Sequence, residues 1–220
     1  AVISGNDRRF GGAPYINQEW LLVNGGPGTP ISDGWLNYGL PVAAGLIYRG
    51  SVEVEESKHP ILIKHLKVVE GGGGAGEYRG APGGDVMYGP RFDPMTVVTM
   101  CDAHVNAPQG VQGGRAGPPA KTYKISADGT KEKLPGVAEC QLLPGEWIQG
   151  IDAGGGGYGD PLERDPERVL IDVRERWETE DRAENTYGVI LVGNVATNDL
   201  AIDEEATEKL RKKLRDSSRH

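Results

Sequence analysis

Ala153-Gly-Gly-Gly-Gly-Tyr158-Gly-Asp160-Pro-Leu-Glu-Arg-Asp165-Pro166 is the stretch on which the fold turns. Four glycines let backbone pass where any Cβ would collide. Asp165 is an N-cap residue type, and Pro166 suits the first helical position. The stretch therefore joins a β region before it to a helical region after it.

Working upstream, the signals are those of strands and turns. Met95–Met100 is a compact apolar strand and Pro60–Val69 a longer one. Lys121–Ser126 and Lys131–Leu134 flank Asp128-Gly129, a strong hairpin signal. Gly136–Leu143 and Glu146–Ile151 flank Pro144-Gly145 and read as a second hairpin. Ser51–Glu55 alternates Val52 and Val54 with polar residues, which predicts a half-buried strand. Residues 1–50 read as irregular, with Gln18–Val23 as a strand at most. Their aromatics Trp20, Trp35, Tyr38 and Tyr48 suit either a partner interface or the completion of a core.

Downstream, Arg164–Glu178 carries Val169, Leu170, Val173 and Trp177 at helical spacing. Thr179–Asn185 adds a turn of helix at most. Tyr187–Val192 and Leu200–Ile202 read as a short strand pair. Asp203–Arg215 is a second helix, acidic at its start and basic at its end, as the helix dipole favours. The expected fold is α+β, mainly antiparallel β with glycine-rich loops and two C-terminal helices. It divides into 1–50, a β-rich 51–162 and a helical 163–220.

Composition fits that picture. Glycine supplies 34 of 220 residues, and hydrophobic residues only 37%, against about 45–50% in ordinary domains. A chain this lean is expected to finish its folding against other polypeptides. The net charge of -8 argues against a nucleic-acid binder. No run of about 18 apolar residues exists, so no membrane span is expected. Cys101 and Cys140 make no disulfide framework, and no leader is visible, so a cytoplasmic setting is expected. Ala1 has no side-chain nucleophile.

The chemistry-bearing candidates are few. Cys101, Asp102 and His104 follow the Met95–Met100 strand. They could be a nucleophile and base, or two metal ligands; a structural cysteine beside an ordinary loop is the plainer reading. Arg79, reached by a glycine-rich loop, could bind a carboxylate or phosphate, or pair with an acid such as Glu70 or Asp160. Tyr158 and Asp160 could line a substrate site or simply build a turn. His59 and His65 flank a strand at no metal spacing. The runs Gly71–Gly74 and Gly154–Gly157 could cradle phosphate, but neither is followed by Gly-Lys-Ser/Thr, which favours close backbone packing.

Several stretches together resemble the hydantoinase B/oxoprolinase family. They are Gly73-Gly74-Ala75-Gly76-Glu77-Tyr78-Arg79-Gly80, Pro108-Gln109-Gly110 with Gly113-Gly114, Gly154–Pro161 with Arg164-Asp165-Pro166-Glu167, Tyr187-Gly188-Val189 and Asp203-Glu204-Glu205-Ala206-Thr207. The chain is similar to the C-terminal half of that family, without its His/Asp metal motifs. After Asp102, Ala103-His104 departs from the family pattern. The resemblance implies a subunit, or processed half, of an ATP-dependent cyclic-amide hydrolase of the hydantoinase type. A ketone carboxylase subunit and a non-catalytic scaffold are the alternatives. It also implies a hydantoinase A-type ATP-binding partner and a polypeptide carrying the N-terminal half, with ATP and divalent metal held by those partners and none by this chain alone.

Overall fold

The computed structural model describes residues 1–18, 24–36 and 50–217. Two antiparallel sheets and a helical unit account for the regular structure. One sheet has five strands: β3 (Ile61–Val68), β4 (Gly84–Pro90), β9 (Trp147–Ile151), β6 (Lys121–Ile125) and β7 (Lys131–Leu134), in that spatial order. The other has four: β2 (Ala13–Gln18), β1 (Val2–Asp7), β5 (Met95–Met100) and β8 (Val137–Leu142). Their buried side chains form a shared cluster. Ile3, Met95, Val97 and Leu142 come from one sheet; Ile61, Val86, Tyr88, Leu134 and Ile148 come from the other. Alternation along β5 shows why, with Met95, Val97 and Thr99 buried and Thr96 and Val98 turned partly outward.

The helical unit has its own apolar core. α2 (Pro166–Arg174) packs Val169, Leu170 and Val173 against Ala183 of α3 (Glu180–Asn185), with Tyr187, Val189 and Leu200. Asp165 caps α2 by accepting from the Glu167 amide, with Pro166 in the first turn. β10 (Leu191–Val192) pairs with β11 (Ala201–Ile202). α4 (Glu204–Ser217) closes the described chain.

Four expectations change. Ser51–Glu55 is not a strand but the start of α1 (Val52–Lys58), where the Ser51 hydroxyl accepts from the Val54 amide. A short alternating run cannot be told from helix when an N-cap precedes it. Residues 2–18 are not irregular: β1 and β2 form a hairpin, joined by a turn with Gly11 and Gly12 at positive φ. The turn at Pro144-Gly145 exists, with Glu146 N–H donating to Leu143 O at 2.9 Å, but its flanks do not pair. β8 pairs with β5, and β9 with β4 and β6, so the chain changes sheets there. Finally, α2 ends at Arg174. Arg176 takes φ 61° and sends Trp177 off the helix. Residues 19–23 lie outside the described residues, as do Trp20, Tyr38 and Tyr48.

A further packing unit has almost no side chains. Gly154–Gly157 runs among segments near residues 26–28, 72–76, 80–81, 109–110 and 115–117. Gly155 N–H donates to Ala81 O at 2.9 Å, Gly157 N–H to Arg115 O at 2.9 Å, and Gly74 N–H to Gly155 O at 2.8 Å. Gly28 N–H donates to Gly156 O at 2.8 Å. A Cβ on Gly155 would stand 2.0 Å from Gly26 O, and one on Gly157 2.0 Å from Ala75 O. Backbone packed on backbone thus fills an interior that side chains fill elsewhere. This explains how a chain with so few hydrophobic residues has a dense centre.

Candidate functional site at the glycine crossing

Tyr158 sits where three segments meet. It bridges Tyr78 antiparallel, with amide-to-carbonyl distances of 2.9 and 3.0 Å, and Val111 in parallel. Beside this crossing lies a cluster of buried and partly buried charges. Arg164 Nη1 and Nη2 donate to both carboxylate oxygens of Asp33, at 2.7 and 2.9 Å. Nη2 also donates to Asp172 Oδ2 at 2.7 Å, and Nη1 to Glu77 O at 2.8 Å. Arg79 Nη2 donates to Asp172 Oδ1 at 2.9 Å, and its guanidinium lies 4.9 Å from the Trp177 ring centre. Arg168 adds a contact to Asp33 Oδ2 at 2.7 Å and faces the Tyr78 ring.

Local sequence explains these positions. Asp172 lies on the buried side of α2, three residues after Val169, so the helix carries it inward. Asp33 comes from the 24–36 loop, which the backbone pins through Gly26 N–H to Trp35 O and Gly34 N–H to Arg79 O. Burial pushes the Asp33 carboxyl up, but the Arg164 hydrogen bonds and the charges of Arg164, Arg79 and Arg168 outweigh this and hold it below the usual range. A second buried acid, Glu178, accepts from the Tyr187 hydroxyl at 2.8 Å and from Arg182 Nη2 at 3.1 Å. Burial leads in raising its carboxyl. Arg182 also donates to Gly71 O and Gly73 O, each at 2.7 Å, clamping the first glycine run to α3.

Arg79 is therefore paired with Asp172 rather than with Glu70 or Asp160. Tyr158 is half-buried in the crossing. Asp160 is exposed and caps the following turn by accepting from the Leu162 amide. Arg79 and Tyr158 are brought into one neighbourhood. Asp102 and His104 belong to the loop after β5 instead. Asp102 is exposed, and His104 Nε2 lies 3.2 Å from Thr122 Oγ1. Burial holds the His104 imidazole below its ordinary value. Burial likewise pushes the Cys101 thiol up to about 11, with Asp152 and Asp102 adding to it, so it is a poor nucleophile at neutral pH.

Among the described residues, no three His, Cys, Asp or Glu side chains gather as a metal site. The glycine amides that a phosphate would need mostly donate to carbonyls already. No helix among the described residues is long and apolar enough to cross a membrane. The buried acids Asp172 and Asp85 and the part-buried Asp33 each have cationic or amide partners. Asp33 and Asp172, with Arg164, were not singled out by sequence reasoning. The available signal was an aspartate on the same side of α2 as Val169.

The model of the family described as hydantoinase B/oxoprolinase matches residues 1–161. The beta chain of the caprolactamase of Pseudomonas jessenii is 31% identical over 197 residues, 87% of this chain and 34% of that protein. The B component of a putative D-/L-hydantoinase from a Pseudomonas species (strain NS671) is 32% identical over 164 residues, 73% of this chain and 26% of that protein. Among solved structures, the ATP-dependent caprolactamase from Pseudomonas jessenii superposes with a TM-score of 0.80 at 28% identity, covering 96% of this chain and 36% of that one. The chain thus spans about a third of the length of these relatives. Ordered glycine motifs, a backbone-packed centre and these matches agree: the chain belongs to the hydantoinase B/oxoprolinase family.

Proposed function

We propose that this chain is part of the B-type component of an ATP-dependent cyclic-amide hydrolase, acting on a lactam or hydantoin. The observation that carries this reading is the similarity to caprolactamase, which extends over 87% of the chain in sequence and 96% in structure. In the reaction proposed, a hydantoinase A-type partner transfers the γ-phosphoryl group of ATP to the amide oxygen and releases ADP. Water adds to the activated carbon, and the C–N bond breaks with a proton delivered to nitrogen. The resulting acyl phosphate is hydrolysed by a second water. A phosphorylated amide oxygen turns a poor electrophile into a good one, which is the purpose of the ATP.

In this proposal the chain's contribution is architectural. Arg164, Arg79, Asp33 and Asp172 spend their charge on one another, and the glycine amides on neighbouring carbonyls. Divalent metal and nucleotide are assigned to partner polypeptides, including one that supplies the family's remaining length. Carboxylation of a ketone is the second reading, resting on 26% identity over 236 aligned residues to the acetone carboxylase alpha subunit of Xanthobacter autotrophicus.

Co-expression with an ATP-binding A-type subunit and the remaining B-type length tests this. The purified complex should consume ATP with caprolactam, hydantoin or oxoproline and open the ring. Turnover only with acetone and bicarbonate would replace this reading with the second.

A further inference from the structure

The 24–36 loop has no helix or strand, only an isolated bridge from Gly25 to Leu36. It is nevertheless fixed along its length. Ala81 N–H donates to Gly26 O at 2.9 Å, and Thr29 N–H to Ser32 O at 2.9 Å. The Thr29 hydroxyl accepts from the Ser32 amide at 3.0 Å. Asp33 accepts from the Arg79 amide at 2.9 Å, in addition to its contacts with Arg164 and Arg168. Gly34 packs so closely that a Cβ would stand 2.1 Å from Gly26 O. What this fixed loop presents outward is apolar: Ile31 is 87% exposed and Trp35 75%.

A lone exposed hydrophobe on a surface needs no explanation. Here two large ones lie four positions apart on a loop that a buried arginine holds in one conformation. Ordering a free loop costs conformational entropy, and a loop ordered in advance removes that cost from binding. Tryptophan is also the side chain most typical of interface centres.

We infer that Ile31 and Trp35 are docking anchors for the polypeptide that supplies the remaining length of the B-type component. The inference rests on the reading of this chain as part of that component. In the caprolactamase relative the matched fold occupies 36% of one chain, so the larger remainder is joined to it in the same molecule. That covalent tie singles out this occupant over the A-type subunit or a second copy of the chain, neither of which has one. The receiving surface is an apolar pocket with one hydrogen-bond acceptor for the indole N–H.

The test mixes the full chain with the polypeptide carrying the remaining B-type length, with the A-type subunit, or with both. Hydroxyl-radical footprinting should oxidise Ile31 and Trp35 readily in the chain alone. Adding the B-type polypeptide should protect both. Replacing the pair, Ile31→Ser with Trp35→Ser, should weaken binding by about 30-fold or more in calorimetric titration. Thermal melting should stay unchanged, since neither side chain is in a core, and Trp35→Phe alone should keep most of the affinity. Val137→Ser, which removes an apolar side chain exposed on β8, should leave binding unchanged. Protection by the A-type subunit or by a second copy, and not by the B-type polypeptide, overturns the inference. So does an absence of binding, full affinity in the double variant, or protection already present in the chain alone. Turnover is read separately. A complex that buries Trp35 but opens no cyclic amide keeps the docking and rejects the hydrolase reading. A complex that opens the ring with Trp35 still oxidised rejects the docking alone.

Discussion

Arg164 grips both carboxylate oxygens of Asp33, a residue 131 positions earlier in the chain. One guanidinium, itself 1% exposed, thereby ties the 24–36 loop to the helical unit. Its second acid, Asp172, passes the contact on to Arg79. Each charge in this row is tolerable only because the next is present. Replacing Arg164 by Met should therefore cost about 3–5 kcal/mol, since it removes the buried central partner shared by Asp172 and the part-buried Asp33. Urea unfolding should show the lowered midpoint. Arg168→Met, at the exposed end of the row, should cost less than about 1 kcal/mol.

The glycine crossing predicts a sharper contrast. Gly155→Ala places a methyl group 2.0 Å from the Gly26 carbonyl. No flexible side chain can move aside there, so the loss should exceed about 4 kcal/mol or prevent folding. Gly11 is the control: it has φ 69° and open space around its Cβ position. Gly11→Ala should cost only the left-handed strain, about 1–2 kcal/mol. Circular dichroism with chemical denaturation separates the two.

Much of this is legible in the sequence, and the failures have physical causes. Asp165-Pro166, Asp128-Gly129 and the apolar 95–100 run declare themselves because the determinants are local. β1 and β2 are hidden because Ser4, Gly5, Asn6 and Pro14 dilute their alternation, and pairing with β5 stabilises them. The chain's change of sheet at Pro144-Gly145 is tertiary; the turn itself looks the same either way. Arg79 is visible as an unusual arginine, but its true partner Asp172 lies 93 positions away. The glycine runs are recognisable as close-packing signals. That they replace a side-chain core is not, since it depends on several distant segments converging.

Protonation gives a pH test at Asp152. Its carboxyl is raised from 3.8 to about 7 by burial, so the folded state holds a proton that the unfolded state releases. Between those values stability falls as pH rises, and the penalty is complete above the folded value. At pH 8, Asp152→Asn should be more stable than the unsubstituted chain by about 2–4 kcal/mol. At a pH of about 3.5 the two should match, because both states then hold the proton. Asp33 has the opposite sign. Its carboxyl is held below 3.8, so its contribution is present above that value and disappears as pH falls through the folded value.

In the reconstituted complex, Asp102→Ala and His104→Ala should leave turnover within about threefold of the unmodified enzyme, because one is solvated and the other bonds Thr122. Arg79→Ala should lower activity only in proportion to the folded fraction, measured on the same samples by thermal melts. A loss of kcat in fully folded Arg79→Ala would instead place Arg79 at the substrate.

The central physical claim is that backbone packed against backbone serves as an interior for this chain. Amide hydrogen exchange reads it most directly, by mass spectrometry or NMR at single-residue resolution. The Gly74, Gly155 and Gly157 amides should exchange as slowly as those of Val97 and Ile148 in the sheet core, through global unfolding. Exchange of these glycines at the rate of the exposed 128–130 turn, while the sheets stay protected, would contradict it.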